Sequence, residues 1–236
     1  MRLSSLSDIG IKRKDNQDNY WSARFTVDGV EGGVVCVCDG MGGLDDGALA
    51  SRIVVETIRE HFMRSADVVD LDADISMANS KIRNISLQNQ TKMGTTCTLV
   101  YCIGGRYVIK HVGDSRCYLL RGNSMTRLTT DHSAIEKFKI SKEKSPDLYK
   151  KYRNSLTRCI GIEDRVVVDT YEGSYSTGDA FFCCSDGLWH YLEDLPDVSI
   201  ETFRDLKKLI ANCISYGETD NITVSVLEVG EEDERN

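Results

Sequence analysis

Four strand-like runs of apolar residues in this sequence begin or end at an aspartate. They are VVCVC before Asp39-Gly40, YVIKHV before Gly113-Asp114, FFCC before Ser185-Asp186-Gly187, and ITVSVLEV, which follows Asp220-Asn221. Aspartate is uncommon inside strands, and a carboxylate that is buried without a partner costs free energy. A single aspartate beside glycine is an ordinary turn. Four of them at strand ends predict a cluster of carboxylates where neighbouring strands converge.

A cluster of this kind predicts a metal site. Carboxylates that lie close together repel one another, which raises their pKa values unless a cation neutralises them. No lysine or arginine recurs beside the four aspartates in the sequence, so we expect a metal ion to do so. Oxygen ligands without an accompanying set of histidines or cysteines favour Mg²⁺ or Mn²⁺ over zinc. Two such ions about 3.5–4 Å apart can activate a water molecule for attack on a phosphoester.

The segment GIKRKDNQDNYW, residues 10–21, supplies a candidate phosphate ligand. It contains Arg13, and Asp18 follows five residues later. The planar fork of an arginine matches the oxygen geometry of a phosphate group. An exposed surface arginine between Lys12 and Lys14 is an equal alternative.

Hydrophobic periodicity predicts one domain, with many strands in the middle of the chain and helices in pairs outside them. Apolar or small residues at helical spacing predict a helix from Ala50 to about residue 62, a second over 73–90 and a third over 200–215. The predicted strands are 19–27, 33–38, 96–103, 107–112, 117–121, 124–128, 165–171, 179–185 and 221–229. A hairpin is expected around Gly122-Asn123.

Residues 134–153 differ from the rest of the chain because they carry seven Lys or Arg and three acidic residues. We interpret them as a mobile helical flap. Its lysines, among them Lys142, Lys144, Lys150 and Lys151, form either a site that attracts acidic or phosphorylated substrate segments or a plain solvated helical face. The acidic end of the chain, residues 230–236, is expected to be a disordered tail.

Composition limits the function further. The chain has 236 residues and a net charge of -8, which argues against nucleic-acid binding. Its nine cysteines lie mostly in apolar runs without a CxxC motif, so we interpret them as reduced core residues. The sequence shows neither an apolar leader nor an apolar run of about 18 residues, so no membrane segment is predicted. We therefore expect a cytoplasmic monomer.

Eight blocks of this sequence resemble the metal-dependent protein phosphatases (PPM, or protein phosphatase type 2C), and above all their short stand-alone bacterial members. The blocks occur in the family's order and cover about residues 4–229. They are GIKRKDNQD, CDGMGG, MGTTCTLV, HVGDSRCYLLR, LTTDHS, RNSLTRCIG, CSDGLW and TDNITV.

The resemblance implies an α+β fold of four layers, α-β-β-α, in which two antiparallel sheets are flanked by helix pairs. Residues 1–229 would form a single catalytic domain, with residues 134–153 at the position of the family's variable flap. The activity it implies is hydrolysis of phosphoserine and phosphothreonine in proteins. A water or hydroxide that bridges two metal ions attacks phosphorus in line, without a phosphoenzyme intermediate. The partners are then phosphorylated proteins and a cognate serine/threonine kinase.

The resemblance also implies the ligands of two core ions, Mn²⁺ or Mg²⁺. Asp39 bridges the two ions. Asp186 and Asp220 complete the ligands of the first ion, and the Gly40 carbonyl holds the second together with water.

Three further residues match the family's motifs. Arg13 grips the phosphate, and Asp18 binds a metal-bound water. Asp114 shares a third, weaker ion with Asp186.

Two positions depart from the family's pattern. Met41 stands where eukaryotic members have a histidine that is proposed to act as general acid, so we expect the leaving-group proton to come from elsewhere, with a water on the third ion as our hypothesis. Gln17 stands where many relatives have glutamate. Because glutamine adds no negative charge, we expect a weaker hold on the second ion.

The histidines are not expected to be catalytic. We interpret His132 as a capping or packing residue, His111 as a core residue and His61 as part of a helix face, and the role of His190 stays open. Two alternatives to an active protein phosphatase also remain. One is a binding module without catalysis on the same fold, although this chain keeps Asp39 and the three other strand-end aspartates. The other is a hydrolase of small phosphoesters.

Overall fold

The computed structural model describes residues 1–41, 46–193 and 200–230. The strands of this described part are β1 (Arg2–Asp8), β2 (Asn19–Val27), β3 (Val30–Cys38), β4 (Cys97–Ile103), β5 (Arg106–Val112), β6 (Arg116–Arg121), β7 (Ser124–Arg127), β8 (Asp169–Ser174), β9 (Ala180–Cys184) and β10 (Ile222–Glu228). Its helices are α1 (Gly47–Arg64), α2 (Leu71–Asn89), α3 (Ala134–Phe138), α4 (Pro146–Tyr152), α5 (Asp186–Leu192), α6 (Ile200–Arg204) and α7 (Leu206–Tyr216).

The described strands form two antiparallel sheets of five strands each. One sheet has the order β1-β10-β9-β6-β7, and the other has the order β2-β3-β4-β5-β8. The hairpin predicted around Gly122-Asn123 joins β6 to β7, where Arg121 pairs with Ser124. Every strand pair within the two sheets is antiparallel, as predicted.

Alternation along the strands divides the core into layers. In β3, Val35 and Val37 point into a cluster that both sheets share, with Phe181 and Leu227 on the opposite side. Cys36 and Cys38 point the other way, toward the helices that cover this sheet. Side chains two residues apart on a strand share a face, so a continuous apolar run such as VVCVC supplies both layers.

Helices cover the outer face of each sheet. Helices α1 and α2 pack on the sheet that contains β3, through residues such as Ile58 and Ile75. Helices α5, α6 and α7 pack on the other sheet, through residues such as Trp189 and Phe203. The arrangement is the four-layer α-β-β-α sandwich that the resemblance implied.

Several predicted elements need correction. The helix predicted over 200–215 is interrupted, because the Asp205 carboxylate accepts a hydrogen bond from the Lys208 amide and caps a new helix, α7. The strand predicted over 165–171 is observed only from Asp169 to Ser174, because β8 pairs with β5 and the described pairing begins at Asp169 opposite His111.

Two elements were not predicted. Strand β1 is rich in serine and carries no apolar run, yet it pairs with β10 along its whole length. Helix α5 is short and begins directly at Asp186.

The predicted flap is helical, but it consists of two short helices, α3 and α4. Residues 231–236 of the predicted tail lie outside the described residues, as do Gly42 and Gly43 of the CDGMGG block.

Candidate active site

The four strand-end aspartates lie at one edge of the sandwich. Asp39 follows β3 directly, and Asp114 follows β5 after Gly113. On the other sheet, Asp186 follows β9 after Ser185, and Asp220 lies two residues before β10. Because β9 and β10 are antiparallel neighbours, the end of one lies beside the start of the other. Together with Asp18, we call these residues the carboxylate cluster.

Neighbouring backbone holds Asp39 in place. Its amide donates to the Thr96 hydroxyl over 2.9 Å, and its carbonyl accepts from the Thr96 amide over 2.9 Å. The Thr95 hydroxyl donates to the same carbonyl. The Asp39 carboxylate is therefore fixed by the start of β4, although the residue itself lies just beyond a strand.

Gly40 must be a glycine for a steric reason. A Cβ atom at this position would collide with the carbonyl oxygens of Gln17 and Gly47. The backbone at Gly40 can therefore approach the segment that carries Asp18, which a larger residue would prevent. The next residue, Met41, is fixed by a hydrogen bond from its amide to the Gly94 carbonyl.

Asp18 shows most clearly that the carboxylate cluster needs a neutralising partner. It is 6% exposed, and neither of its carboxylate oxygens accepts a well-formed hydrogen bond from any described residue. Burial raises the pKa of Asp18 to about 7, and repulsion by Asp186 and Asp220 adds to the effect, which the nearby Thr223 and Ser185 hydroxyls offset only in part. A buried carboxylate without donors is costly unless a proton or a metal ion neutralises it.

The other members of the cluster share this electrostatic strain. Burial raises the pKa of Asp39 well above its ordinary value, and repulsion by Asp18, Asp186, Asp114 and Asp220 raises it further. Burial also raises the pKa of Asp114 and that of Asp186. The repulsion shows that the five carboxylates act on one another across a common space.

Asp220 differs because Arg13 neutralises it. The guanidinium donates from Nε to Asp220 Oδ1 over 2.7 Å and from Nη2 to Oδ2 over 2.6 Å. This bidentate pair raises the pKa of Arg13. The sequence shows no lysine or arginine next to Asp220, and its partner comes instead from a distant part of the chain. The two residues are 207 positions apart in the chain, so their pairing could not be seen from neighbouring residues.

Asn221 positions the segment that carries Arg13 and Asp18, and the sequence analysis did not single it out. Its side-chain amide donates to the Ile9 carbonyl over 2.9 Å and to the Asp15 carbonyl over 3.2 Å. Its Oδ1 accepts from the Gln17 amide over 2.9 Å. Asn221 is 4% exposed. Its place in the TDNITV block is the only signal that could have drawn attention to it.

Asp114 is held by a large neighbour. The Trp189 indole Nε1 donates to the Asp114 carbonyl over 2.9 Å, and the guanidinium of Arg116 lies 3.5 Å from the centroid of the same indole. The Gly113 amide donates to His132 Nδ1 over 3.0 Å. The backbone of Asp114 is thus fixed from both sides of the sandwich edge.

The histidines fall into two groups. His61, His111 and His132 are buried, and each ring nitrogen of these three has a hydrogen-bond partner. His190 lies nearer the cluster, on α5. Its Nδ1 is 3.1 Å from Arg153 Nη2, at the end of the flap, and 3.7 Å from Glu218 Oε2. Its buried Nε2 has no hydrogen-bond partner among the described residues.

The donor set fits hard divalent cations. It offers carboxylate oxygens, and two of them, on the buried Asp18, accept no well-formed hydrogen bond from described residues. Among the described residues, however, no three of these carboxylates place oxygens within 4.8 Å of one another. This spacing suits ions that keep several water ligands, as Mg²⁺ does, better than a closed cage of protein ligands.

Comparison with known proteins identifies the family. The chain matches the family model described as Protein phosphatase 2C over residues 11–222. It is 31% identical over 216 residues to the serine/threonine phosphatase stp of Listeria welshimeri, with 83% of this chain and 84% of that protein covered. It is 28% identical to the protein phosphatase PhpP of Streptococcus pneumoniae, with 99% of each chain covered.

A solved structure agrees with these sequence matches. The catalytic domain of the serine threonine protein phosphatase PstP, in complex with two manganese ions, has a TM-score of 0.76 and 28% identity, with 98% of each chain covered. The chain therefore belongs to the protein phosphatase 2C family, the metal-dependent serine/threonine protein phosphatases. The family, the fold and the enzyme class predicted from the sequence are confirmed. No helix in the described part of the chain is long and apolar enough to span a membrane.

Proposed function

We propose that this protein hydrolyses phosphoserine and phosphothreonine in other proteins, with two Mn²⁺ or Mg²⁺ ions at the carboxylate cluster. Asp39 would bind both ions, Asp186 and Asp220 would complete the ligands of the first, and the Gly40 carbonyl would bind the second. When bound, such ions neutralise the carboxylates and lower the pKa of a water that can attack phosphorus. Phosphorylated proteins are then its substrates, and a kinase of the same specificity supplies them.

Three residues complete this assignment. Arg13 would hold the phosphate, since the two N–H groups that donate to Asp220 have the geometry to donate to two phosphate oxygens. Asp18 would orient water at the ions, and Asp114 would share a third, weaker ion with Asp186. Residues 1–229 would act as one catalytic domain.

The single observation that carries the proposal is the buried Asp18 carboxylate. Neither of its oxygens accepts a well-formed hydrogen bond from a described residue. Asp186 and Asp220 repel it, and it repels Asp39 in turn. A protein that needed this edge only for packing would have no reason to keep these charges. A binding module that had lost catalysis would be free to replace them with apolar or amide side chains.

The test is hydrolysis of a phosphothreonine peptide by the purified protein. We expect no activity in EDTA, recovery when Mn²⁺ is added, and loss of activity in Asp39→Asn. The control is Asp164→Asn, because that carboxylate is 85% exposed and pairs only with Arg83 on the surface. It should leave the activity unchanged.

Two other outcomes would overturn the proposal. A folded protein that hydrolyses a small aryl phosphate with Mn²⁺ but no phosphopeptide would be a hydrolase of small phosphoesters. A folded protein that binds Mn²⁺ and hydrolyses neither substrate would be a binding module.

We also propose that the flap contributes to substrate binding. Its α4 carries Lys150 and Lys151, and Arg153 at its end contacts His190 beside the cluster. Replacing Lys142, Lys144, Lys150 and Lys151 with serine should lower turnover of a phosphoprotein more than that of an aryl phosphate. An equal fall for both substrates would contradict this role.

A further inference from the structure

Three cysteines lie together behind the strand end that carries Asp39. The Sγ atoms of Cys36, Cys38 and Cys97 lie within 4.8 Å of one another, and those of Cys36 and Cys38 are 3.8 Å apart. Relative exposure is 0% for Cys36 and Cys38 and 1% for Cys97. We call these three residues the thiol triad.

The sheet register creates the triad. Cys36 and Cys38 are two residues apart on β3, so both point toward helices α1 and α2. Val37 pairs with Thr98 on β4, and Cys97 is therefore next to Cys38 on the adjacent strand. All nine cysteines are free and buried, but only these three form such a group in the part of the chain that the structure describes.

The triad has the dimensions of a three-coordinate site. A triangle with sides between 3.8 and 4.8 Å has a centre about 2.2–2.8 Å from each corner, which includes the ~2.3 Å length of a metal–thiolate bond. An ion at this centre, or above the plane of the triangle, would contact all three sulfurs after small movements of the side chains that draw the sulfurs together. Soft thiolate ligands select soft ions.

The net charge of the complex indicates which class of ion the thiol triad would bind. Three thiolates around a monovalent ion leave two negative charges, and around a divalent ion they leave one. Net charge is costly in a closed apolar core, and it would add to the repulsion already present at Asp39. A trivalent ion gives a neutral complex with three thiolates.

We propose that the thiol triad binds a trivalent thiophilic ion of the arsenite or antimonite class. With arsenite, As(OH)₃ reacts with three thiols to give a tris-thiolate and three water molecules. Three S–H and three As–OH bonds break, three As–S bonds form, and each hydroxyl leaves with one thiol proton. No oxidant or reductant is needed.

Occupation of the triad would reach the active-site edge through the backbone. Cys38 directly precedes Asp39, and Thr96, which fixes the Asp39 amide and carbonyl, directly precedes Cys97. Drawing the three sulfurs together therefore moves both segments that hold Asp39. This movement should lower phosphatase activity, an expectation that rests on the proposed function, whereas the binding itself does not.

Burial predicts slow binding. With the triad at most 1% exposed, arsenite can reach it only when the ends of β3 and β4 open locally. Binding should therefore take much longer than mixing, and mild urea below the unfolding transition should accelerate it.

The test is incubation of the reduced, intact protein with sodium arsenite, followed by native mass spectrometry and arsenic X-ray absorption. We expect one arsenic per chain, bound by three sulfurs, in the wild type. Cys97→Ala and Cys36→Val should each weaken binding by at least about 100-fold while remaining folded by circular dichroism. Two variants with different replacement side chains are used because a loss of arsenic binding in both is not explained by altered packing at one position.

The matched control is Cys102→Ala. Cys102 is equally buried and lies on the same strand as Cys97, but it points into the layer between the sheets. It should bind arsenic as the wild type does. Absence of stoichiometric binding, coordination by two sulfurs, or equal loss in Cys102→Ala would overturn the proposal, whether or not the protein proves to be a phosphatase.

Discussion

Two groups of buried charged side chains lie side by side at the active-site edge. The charges of one group are paired with each other, and those of the other include an unpaired carboxylate. Around Arg116, whose side chain is 6% exposed, the charges are paired: the guanidinium donates to Asp131 over 2.8 Å and to Glu193 over 2.7 Å. In the carboxylate cluster, neither buried oxygen of Asp18 accepts a well-formed hydrogen bond from the part of the chain that the structure describes. Both groups contact the same short segment, since Trp189 lies under Arg116 and donates to the Asp114 carbonyl.

The difference distinguishes buried charges that stabilise the fold from buried charges that serve to bind a ligand. A paired charge stabilises a particular arrangement and needs nothing else, so Arg116 and Asp131 serve as part of the frame. Unpaired buried carboxylates destabilise the folded protein when no ligand is bound. Their presence is explained if a bound ligand neutralises them. Substitution in the two groups should therefore have opposite effects on stability.

The largest expected effect is that of Asp186→Asn on catalysis. Removing this proposed ligand of the first ion should lower kcat/KM for a phosphopeptide on the order of 10⁴-fold. In EDTA, the same variant should unfold at a higher urea concentration than the wild type, because repulsion by Asp220 and Glu218 on a buried carboxylate is removed. A variant that loses activity and is also less stable in EDTA would break the comparison.

Arg116→Met should show the reverse pattern. It removes the bidentate partner of the Asp131 carboxylate, which is 7% exposed and keeps its ion pair with Arg127 over 3.0 Å. We therefore expect a loss at the lower end of about 3–5 kcal/mol in the free energy of unfolding. The loss should be similar in EDTA and in Mn²⁺, as measured by urea denaturation. The double variant Arg116→Met with Asp131→Leu is the control, and it should recover part of the loss, because it also removes the buried Asp131 carboxylate.

The pH dependence of stability should also distinguish the two groups. In the metal-free protein the pKa of Asp18 is about 7, against an ordinary 3.8, so the folded state holds a proton that the unfolded state has already released. This group alone therefore lowers the free energy of unfolding as pH rises from about 4 to 7, by up to about 4 kcal/mol. His111 acts in the opposite direction, because burial lowers its pKa to about 3.

Comparison with Asp18→Asn isolates the contribution of that carboxylate. In urea denaturation in EDTA, the stability of the wild type relative to the variant should fall as pH rises from about 4 to 7, because both proteins share the His111 contribution and differ only at Asp18. Saturating Mn²⁺ should remove this dependence from the wild-type profile, since an ion takes the place of the proton. Parallel profiles for variant and wild type in EDTA would contradict the assignment.

The sequence predicted the carboxylate cluster better than it predicted the cluster's neighbours. Asp39, Asp114, Asp186 and Asp220 were visible because an apolar strand that meets an aspartate is a local pattern. The pairing of Arg13 with Asp220 was not visible, because it joins residues 207 positions apart. Strand β1 was missed for a related reason: its serine-rich sequence is held in place by β10 and carries little strand propensity of its own.

The smallest expected effect is that of Gln17→Glu on Mn²⁺ binding. This substitution adds one more negative charge to the segment that carries Asp18. The backbone of Gln17 is fixed at both ends, because its amide donates to Asn221 and its carbonyl accepts from the Ser51 hydroxyl. The substitution therefore changes only the side chain. An added charge near the second ion is worth about 1 kcal/mol at an interaction distance screened by water, so the half-saturating Mn²⁺ concentration should fall by about fivefold. Gln88→Glu, on an exposed turn of α2, adds the same charge far from the cluster and should leave that concentration unchanged. If Gln17→Glu does the same, the second ion does not depend on charge at this position.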